Sequence, residues 1–473
     1  MIGGVMLSKI RLNNCLEIRR NENPGFNPAE LARQWTFPNP KFYENARLGF
    51  SNYGTPESLC LATFTNEALF LLRGAAADII RQYPQVEIVD ETFSLPQAFE
   101  PSSIILRDYQ KDALQSLLLK NQGVIVSPPG SGKTVLLIEL LIQRAQKTLI
   151  LVHTKDLLEQ WRNRLMTFTK INPGIVSGGV YDVQPVTIAT VQSLNRPLPD
   201  DFKNSFGMVI LDECHHCPAS TFRKIVDQFP ARFRYGATAT PERPDGMSFL
   251  LGAVMGAVIH TVENDCLLAT GDIIKPVIKP IETAAYYPMV ESYGELLAKI
   301  AKDEQRNALI VDFIGKEAKA GNFCLILSER VSHVKRLHEL FKTEYPEMKS
   351  FCITGQDTKE HRQNAIDAMN QGAANVLFST KLADEGLDIR RLNRLFLTCP
   401  VRAINKVTQQ IGRIQRTFPE KKDAIVFDFV DNNSLAKSQY YSRKKKLYEK
   451  HNMRITDENR DDEKSLFGYC SIL

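Results

Sequence analysis

The apolar run Gly123-Val124-Ile125-Val126 gives way to Ser127-Pro128-Pro129-Gly130-Ser131-Gly132-Lys133-Thr134, and apolar residues resume in Val135-Leu136-Leu137-Ile138-Glu139-Leu140-Leu141. The first run reads as a buried strand and the last as a helix. Few folds accommodate this order, because the loop between them must turn its backbone N–H groups inward around phosphate. The helix N-terminus adds its partial positive charge. On this reading Pro129, Gly130, Ser131 and Gly132 line the phosphates, Lys133 reaches the outer ones, and the Thr134 hydroxyl holds a magnesium ion. Ser127 stands where the usual pattern has Gly or Ala, so the strict motif is missed by one residue. An ordinary glycine-rich turn is the alternative.

The length of 473 residues predicts about three domains of ~150 residues each. A hydrophobic fraction of 43% and a charged fraction of 24% are those of a globular protein in water. The net charge of +5, from 59 basic and 54 acidic residues, permits a polyanionic partner without arguing for one. Nine cysteines without a repeating spacing, and no charged-then-apolar leader, predict free thiols and a cytoplasmic setting. The run 247–262 has no acidic or basic residue apart from His260, but it is shorter than the ~20 residues a membrane helix needs. It is expected to be a core helix or a helix followed by a strand.

Residues 1–95 read as a small α+β accessory domain. Ile10-Arg11-Leu12 and Leu16-Glu17-Ile18 suggest a hairpin, and Asn27 can cap a short helix over 28–35. Trp35, Phe37, Phe42, Tyr43, Phe50 and Tyr53 occur near Lys41 and Arg47. They could stack on bases or supply a small core, and nine basic against ten acidic residues leave this region without a positive balance. Strands and helices then alternate over 100–265 and again over 291–432, separated by a proline-bearing, strand-containing connection at 266–290. Alternation of this kind predicts doubly wound α/β lobes with buried parallel strands. The remaining 433–473 is expected to be a basic tail. Its stretch 434–454 has seven Lys or Arg against one acid, including Arg443, Lys444, Lys445 and Lys446, and either contacts phosphate or forms a solvated face.

Leu211-Asp212-Glu213-Cys214-His215-His216 ends an apolar strand about eighty residues beyond the phosphate loop. A carboxylate at the end of a neighbouring strand is where a second magnesium contact belongs. Asp212 is assigned to the ion, largely through water, and Glu213 to orienting and deprotonating the attacking water. Cys214-His215-His216-Cys217 invites a zinc reading, but no second Cys-x-x-Cys supplies the other ligand pair, so no zinc is expected. Gln409-Gln410-Ile411-Gly412-Arg413-Ile414-Gln415-Arg416 reads as a helix with Arg413 and Arg416 on one face. Guanidinium groups stabilise the charge that builds up in phosphoryl transfer; a surface salt-bridge face is the alternative.

The order GSGKT, DECH, TAT and QxxGRxxR resembles the superfamily 2 helicases and translocases over roughly residues 100–430. Within them it is most similar to the XPB-like branch and the phage UvsW-type recombination helicases, as Leu106-Arg107-Asp108-Tyr109-Gln110, Leu151-Val152-His153-Thr154-Lys155, Glu159-Gln160-Trp161 and Gly236-Ala237-Thr238-Ala239-Thr240-Pro241-Glu242-Arg243 indicate. Ser379-Thr380-Lys381 and Asp384-Glu385-Gly386-Leu387-Asp388 match the next motif. The weaker match Asn39-Pro40-Lys41-Phe42-Tyr43 resembles the accessory domain of the phage enzymes. The resemblance implies two tandem RecA-like lobes that use ATP and Mg2+. It implies that Gln110 reads the adenine edge with Arg107 nearby, and that Thr238 and Thr240 couple nucleotide state to DNA grip through His215. Gly386 and Asp388 would contact nucleotide or metal-bound water, and Gln409 the γ-phosphate beside Arg413 and Arg416. Thr154, Thr190, Thr354 and Thr380 lie in segments that would line the single-strand track.

The function expected from this set is an ATP-dependent DNA helicase or translocase, 3′ to 5′ by resemblance, that remodels forks and four-way junctions in recombination and repair. Its partner would be single-stranded, forked and four-way DNA, with no membrane, and the chain would act as a monomer. An RNA helicase and a DNA-binding scaffold are the alternatives.

Overall fold

The computed structural model describes residues 7–215, 224–240, 246–288, 290, 292–380, 389–401 and 403–456. The chain divides into two compact units, Met1–Pro128 with Gly132–Glu263, and Asn264–Leu473 with Pro129–Ser131. No helix among the described residues is long and apolar enough to cross a membrane.

The first unit opens with a five-stranded sheet. Its strands β1 (Lys9–Leu12), β2 (Cys15–Arg19), β5 (Thr63–Phe64), β6 (Ala68–Leu72) and β7 (Glu87–Asp90) run in the order β5-β6-β2-β1-β7. A separate pair, β3 (Thr36–Pro38) with β4 (Ser58–Cys60), lies outside that sheet. The expected hairpin is β1–β2, and Asn27 caps the helix Pro28–Gln34 by accepting from Ala29 N.

This accessory region is not a separate body. Leu61 and Leu72 belong to the core cluster of the adjoining lobe, and the Phe37 ring stacks on Phe249 with centroids 4.4 Å apart. Arg73 is buried, and its Nη2 donates to the Arg232 carbonyl at 2.6 Å. A Cβ at Gly74 would overlap the carbonyl oxygens of Gly252 and Ala253, so only glycine allows this approach. The aromatic cluster read from the sequence therefore splits. Trp35 and Phe37 pack against the lobe, whereas Tyr43, Phe50 and Tyr53 are exposed.

The lobe itself is built on an eight-stranded sheet. Its strands are β8 (Gln122–Val126), β9 (Thr148–Val152), β10 (Gly174–Ser177), β11 (Val180–Tyr181), β12 (Val186–Thr190), β13 (Met208–Leu211), β14 (Phe233–Thr238) and β15 (Val258–Thr261). They lie in the order β11-β10-β12-β9-β13-β14-β8-β15. All pair in parallel except the short edge strand β11. Every residue of β9, β12, β13 and β14 is buried; β13 accordingly reads as a continuous apolar run and β9 as one after Thr148, whereas β12 and β14 also bury Thr187, Thr190, Arg234 and Thr238. The apolar stretch at 247–262 resolves into the helix Phe249–Met255 and β15.

The second unit is built on a seven-stranded, all-parallel sheet. Its strands are β16 (Val277–Glu282), β17 (Cys324–Leu327), β18 (Ser350–Ile353), β19 (Val376–Ser379), β20 (Arg394–Leu397), β21 (Ile425–Val430) and β22 (Arg454–Ile455). Their order is β18-β19-β17-β20-β21-β16-β22. The stretch expected to be a connection thus contributes β16, which lies inside the sheet. Pro280 is tolerated there because β22 pairs only with Val277 and Ile278, so the strand is an edge at the proline.

The expected basic tail also needs correction. The helix Ser434–Arg443 continues as a wider helical turn, Lys444–Glu449, and Tyr440, Leu447 and Tyr448 enter the core of the lobe. The chain then returns to the sheet as β22, and 457–473 lie outside the described residues. The segment is part of the second unit because its apolar residues bury one face while its lysines occupy the other.

Candidate active site

Strands β13, β14 and β8 are adjacent and parallel, so their C-terminal ends meet at one edge of the sheet. Ligands of doubly wound sheets bind at such strand ends. Asp212 follows β13, Thr238 ends β14 and Ser127 follows β8. Backbone bonds from Ser127 N to Thr238 O and from Cys214 N to Ala237 O, both 2.9 Å, tie the three ends together.

From Ser127 the chain turns into the helix Lys133–Arg144, whose N-cap Gly132 has φ +78°. A Cβ there would be 2.5 Å from Gln110 Nε2, so the absence of a side chain lets Gln110 lie against the loop. Gln110 is buried, and its Oε1 accepts from Arg107 N at 3.0 Å, which fixes its orientation from the first turn of its own helix. Lys133 Nζ donates to Ser127 O at 3.1 Å and stands 3.6 Å from Glu213 Oε1. The first loop position, which breaks the usual pattern, therefore serves through a backbone carbonyl that any residue could supply.

Asp212 is buried and both of its oxygens are engaged. Oδ2 accepts from Trp161 Nε1 at 2.7 Å and Oδ1 from Glu213 N at 2.9 Å. Burial first, and then the adjacent Glu213 carboxylate, push the Asp212 carboxyl above the ordinary carboxylate range; Lys133 and the indole N–H pull the other way. Glu213 has φ +46°, a left-handed conformation that is costly for a residue with a side chain.

His215 Nδ1 lies 2.8 Å from Thr238 Oγ1 and 3.5 Å from Glu213 Oε2. The Thr238 hydroxyl gives its one hydrogen to Thr240 O at 2.6 Å, so it accepts from His215 Nδ1–H. The side chains of Glu213, His215 and Thr238 therefore form one connected set that ends on the Thr240 backbone.

Hard oxygen donors, the Thr134 hydroxyl at the helix N-terminus and the Asp212 carboxylate, suit a magnesium ion. With each Asp212 oxygen already accepting one hydrogen bond, contact through water suits the carboxylate best. His216 and Cys217 of the zinc reading lie outside the described residues; among the described residues no group of three or more His, Cys, Asp or Glu side chains could hold a metal.

In the second unit the helix is Ile404–Gln415, and Gln409 on it is buried. Arg413 is in its last turn, but Arg416 is the C-cap, with extended backbone at φ −60° and ψ 137°. The expectation that the two arginines share a helix face is corrected, because the helix ends between them. Gly386 and Asp388 lie outside the described residues.

The threonines assigned to DNA have internal roles. Thr154 caps the helix Lys155–Thr169 by accepting from Leu157 N. Thr190 is buried, with its hydroxyl 3.0 Å from Ser177 Oγ and 2.7 Å from Ser193 Oγ. Thr354 is buried and donates to Asp357 Oδ2 at 2.7 Å, and Thr380 is buried at the end of β19. Burial and these partners withdraw the Thr190 and Thr354 hydroxyls from an exterior phosphate.

Arg443 is a clear correction. It is 1% exposed, its Nη2 pairs with Asp428 Oδ1 at 2.7 Å, its Nη1 donates to Val401 O at 2.9 Å, and Tyr448 joins the same carboxylate at 2.8 Å. Its charge is used inside the protein. Lys445 and Lys446 are exposed and Lys444 is half-buried.

Sequence reasoning missed the role of Trp161. The signal was the apolar helix face carrying a residue whose N–H must find a partner when buried.

Two family models match the chain: "Type III restriction enzyme, res subunit" over residues 103–243, and "Helicase conserved C-terminal domain" over residues 305–418. A DNA 3'-5' translocase XPB2 of Sulfurisphaera tokodaii is 26% identical over 392 residues, covering 74% of this chain and 88% of the relative. A putative DNA 3'-5' helicase Rad25 of Halobacterium salinarum is 29% identical over 299 residues, covering 60% of this chain and 47% of the relative, so the chain spans about half of that protein. A crystal structure of T4 UvsW aligns over 95% of this chain and 98% of that one at 18% identity, with a TM-score of 0.42 that adds no support to the fold described above. The chain belongs to the superfamily 2 helicases and translocases, in their XPB-like branch.

Proposed function

We propose that the chain is an ATP-dependent DNA translocase that moves 3′ to 5′ and remodels forked and four-way junctions. The observation that carries this reading is the meeting of three strand ends, where Lys133, Asp212, Glu213, His215 and Thr238 form one connected set. Family membership supports reading that set as a motor's site. The printed descriptions of the two relatives as a DNA translocase and a DNA helicase, both 3'-5', support the polymer and the polarity.

In this reading Lys133 exchanges its bond to Ser127 O for the outer phosphates of ATP. Thr134 and Asp212 would hold magnesium, which when bound neutralises charge on the phosphate oxygens. Glu213 takes the proton of the attacking water at its carboxylate, and Gln110 with Arg107 selects the base. Arg413 and Arg416, with Gln409 nearby in sequence, stabilise the charge that develops in hydrolysis, and Gly386 and Asp388 keep the roles the family gives them. His215 and Thr238 carry the state of Glu213 to Thr240, beyond the end of β14. Lys444, Lys445 and Lys446 are the basic side chains offered to DNA phosphates, so binding should be sequence-tolerant and sensitive to salt.

The test is ATP hydrolysis and strand displacement on single-stranded, duplex, forked and four-way DNA, with RNA of matched length as a further arm. ATP-dependent displacement on forks and junctions is expected. Stimulation by RNA alone, or no displacement on any branched DNA, overturns the reading.

A further inference from the structure

The arginine that ends the second unit's motif helix is held by a residue five positions downstream. The helix Ile404–Gln415 terminates without a glycine cap, and the carbonyls of its last residue, Gln415, and of the cap, Arg416, are each satisfied from outside the helix. Ile274 N donates to Gln415 O at 2.7 Å, and Ile273 forms an antiparallel bridge with Arg416 itself. On the other side Lys421 Nζ donates to Arg416 O at 2.7 Å from a turn closed by Lys421 N to Phe418 O at 3.0 Å. A cation at the carbonyl end of a helix is favourably placed in the helix dipole.

We infer that Lys421 is a positioning residue for Arg416, acting through the Arg416 carbonyl to set the direction in which its guanidinium leaves the helix end. The inference rests on the role proposed above for Arg416 in hydrolysis. A guanidinium projects from wherever its backbone is held, and the Arg416 backbone is anchored both at the bridge to Ile273 and at the carbonyl that accepts from Lys421. The bridge to Ile273 restrains one side of Arg416, and the ammonium restrains the carbonyl. Lys421 is half-buried. Its surroundings explain its behaviour: burial chiefly, then the Arg416 and Arg394 guanidinium groups, lower the ammonium to about 7, against the opposing pull of Asp423. The clamp therefore has a charged donor below neutrality and a weaker, neutral one above it.

The experiment is steady-state ATP hydrolysis stimulated by single-stranded DNA, with the full chain, for Lys421→Met, Lys421→Arg, Arg416→Gln and the double variant Lys421→Met/Arg416→Gln. Lys421→Met should lower kcat about tenfold, the scale of a lost hydrogen bond to a charged group, with KM for ATP within about twofold of the parent by the same argument that only the hydrolytic step uses Arg416. Lys421→Arg should restore most of kcat. The double variant should equal Arg416→Gln alone, since a residue that acts through another adds nothing once the other is gone. The parent's kcat should fall relative to that of Lys421→Met as pH rises through about 7.

Thermal unfolding of each variant separates lost positioning from lost folding, and Lys421→Arg carries the test if Lys421→Met unfolds. An unchanged kcat in Lys421→Met, or an equal further loss in the Arg416→Gln background, overturns the positioning role and leaves the proposed function standing. Full turnover in Arg416→Gln removes the role of Arg416, and the positioning role falls with it.

Discussion

The indole Nε1–H of Trp161 donates to Asp212 Oδ2 at 2.7 Å, so the carboxylate assigned to magnesium is aimed by a fully buried ring on the helix Lys155–Thr169. Trp161→Phe keeps most of the ring and removes the donor, leaving a buried carboxylate oxygen short of a bond, at a cost of about 1–3 kcal/mol. DNA-stimulated kcat should fall by about three- to tenfold, on the assumption that part of that cost is felt in turnover. Steady-state hydrolysis checks this; an unaltered kcat with lowered thermal stability would show that the bond serves the fold alone.

Lys133 and Glu213 stand 3.6 Å apart, yet their removal should have different consequences. Lys133→Ala should weaken nucleotide binding and abolish hydrolysis together, because the lysine is assigned to the phosphates in both bound and reacting states. Glu213→Gln should bind nucleotide normally and lose turnover by roughly a hundredfold or more, the range for loss of a positioned base. Fluorescent-nucleotide titration beside single-turnover hydrolysis separates the two. Near-normal turnover in Glu213→Gln would show the base to be wrongly assigned.

Much of this arrangement was legible in the residues because it depends on local order. The strands before Ser127 and Asp212 are apolar runs, the signature that buried parallel strands leave, and the helix after Lys133 is apolar from Val135 to Ile142 apart from Glu139. What escaped was set by distant partners. The Arg443-Lys444-Lys445-Lys446 run looks uniform as a string of letters, yet the first side chain meets Asp428 and Tyr448 in the interior while the second and third lysines face solvent. Thr190 meets Ser177 across neighbouring parallel strands, a contact that spacing along the chain does not encode. Likewise the connection could be seen to contain a strand, but its place beside β21 comes from pairing with residues far downstream.

The basic run therefore predicts two phenotypes where one was expected. Arg443→Met leaves the Asp428 carboxylate buried with one fewer charged partner, and breaking such a pair costs about 3–5 kcal/mol. A lowered unfolding temperature is expected, with weak DNA binding only as a consequence. Lys445→Ala/Lys446→Ala should leave unfolding unchanged, because both side chains are exposed. In that double variant DNA affinity should fall, and the slope of log K against log salt should shrink by about 1–2. A titration of fluorescent DNA across salt concentrations measures it; an unchanged slope returns the two lysines to a solvated face.

A dependence of stability on pH should come from His333. The side chain is fully buried, with Nδ1 2.9 Å from Ser328 Oγ and Nε2 2.9 Å from Asn307 Oδ1. Burial, and secondarily the Arg306 guanidinium, lower it to about 3. The unfolded chain carries an ordinary histidine that protonates near 6.5, so between about 6.5 and 3 the unfolded state binds a proton that the folded state refuses. Stability from this group is level above pH 6.5 and declines as pH falls below it. His338, lowered by burial to about 4, acts in the same direction. Urea unfolding of the full chain at pH 7.5 and 5.5 should show the parent losing about 1.4 kcal/mol more than His333→Gln over that interval, because the carboxylates contribute equally to both. Equal losses would mean that His333 titrates normally in the folded protein.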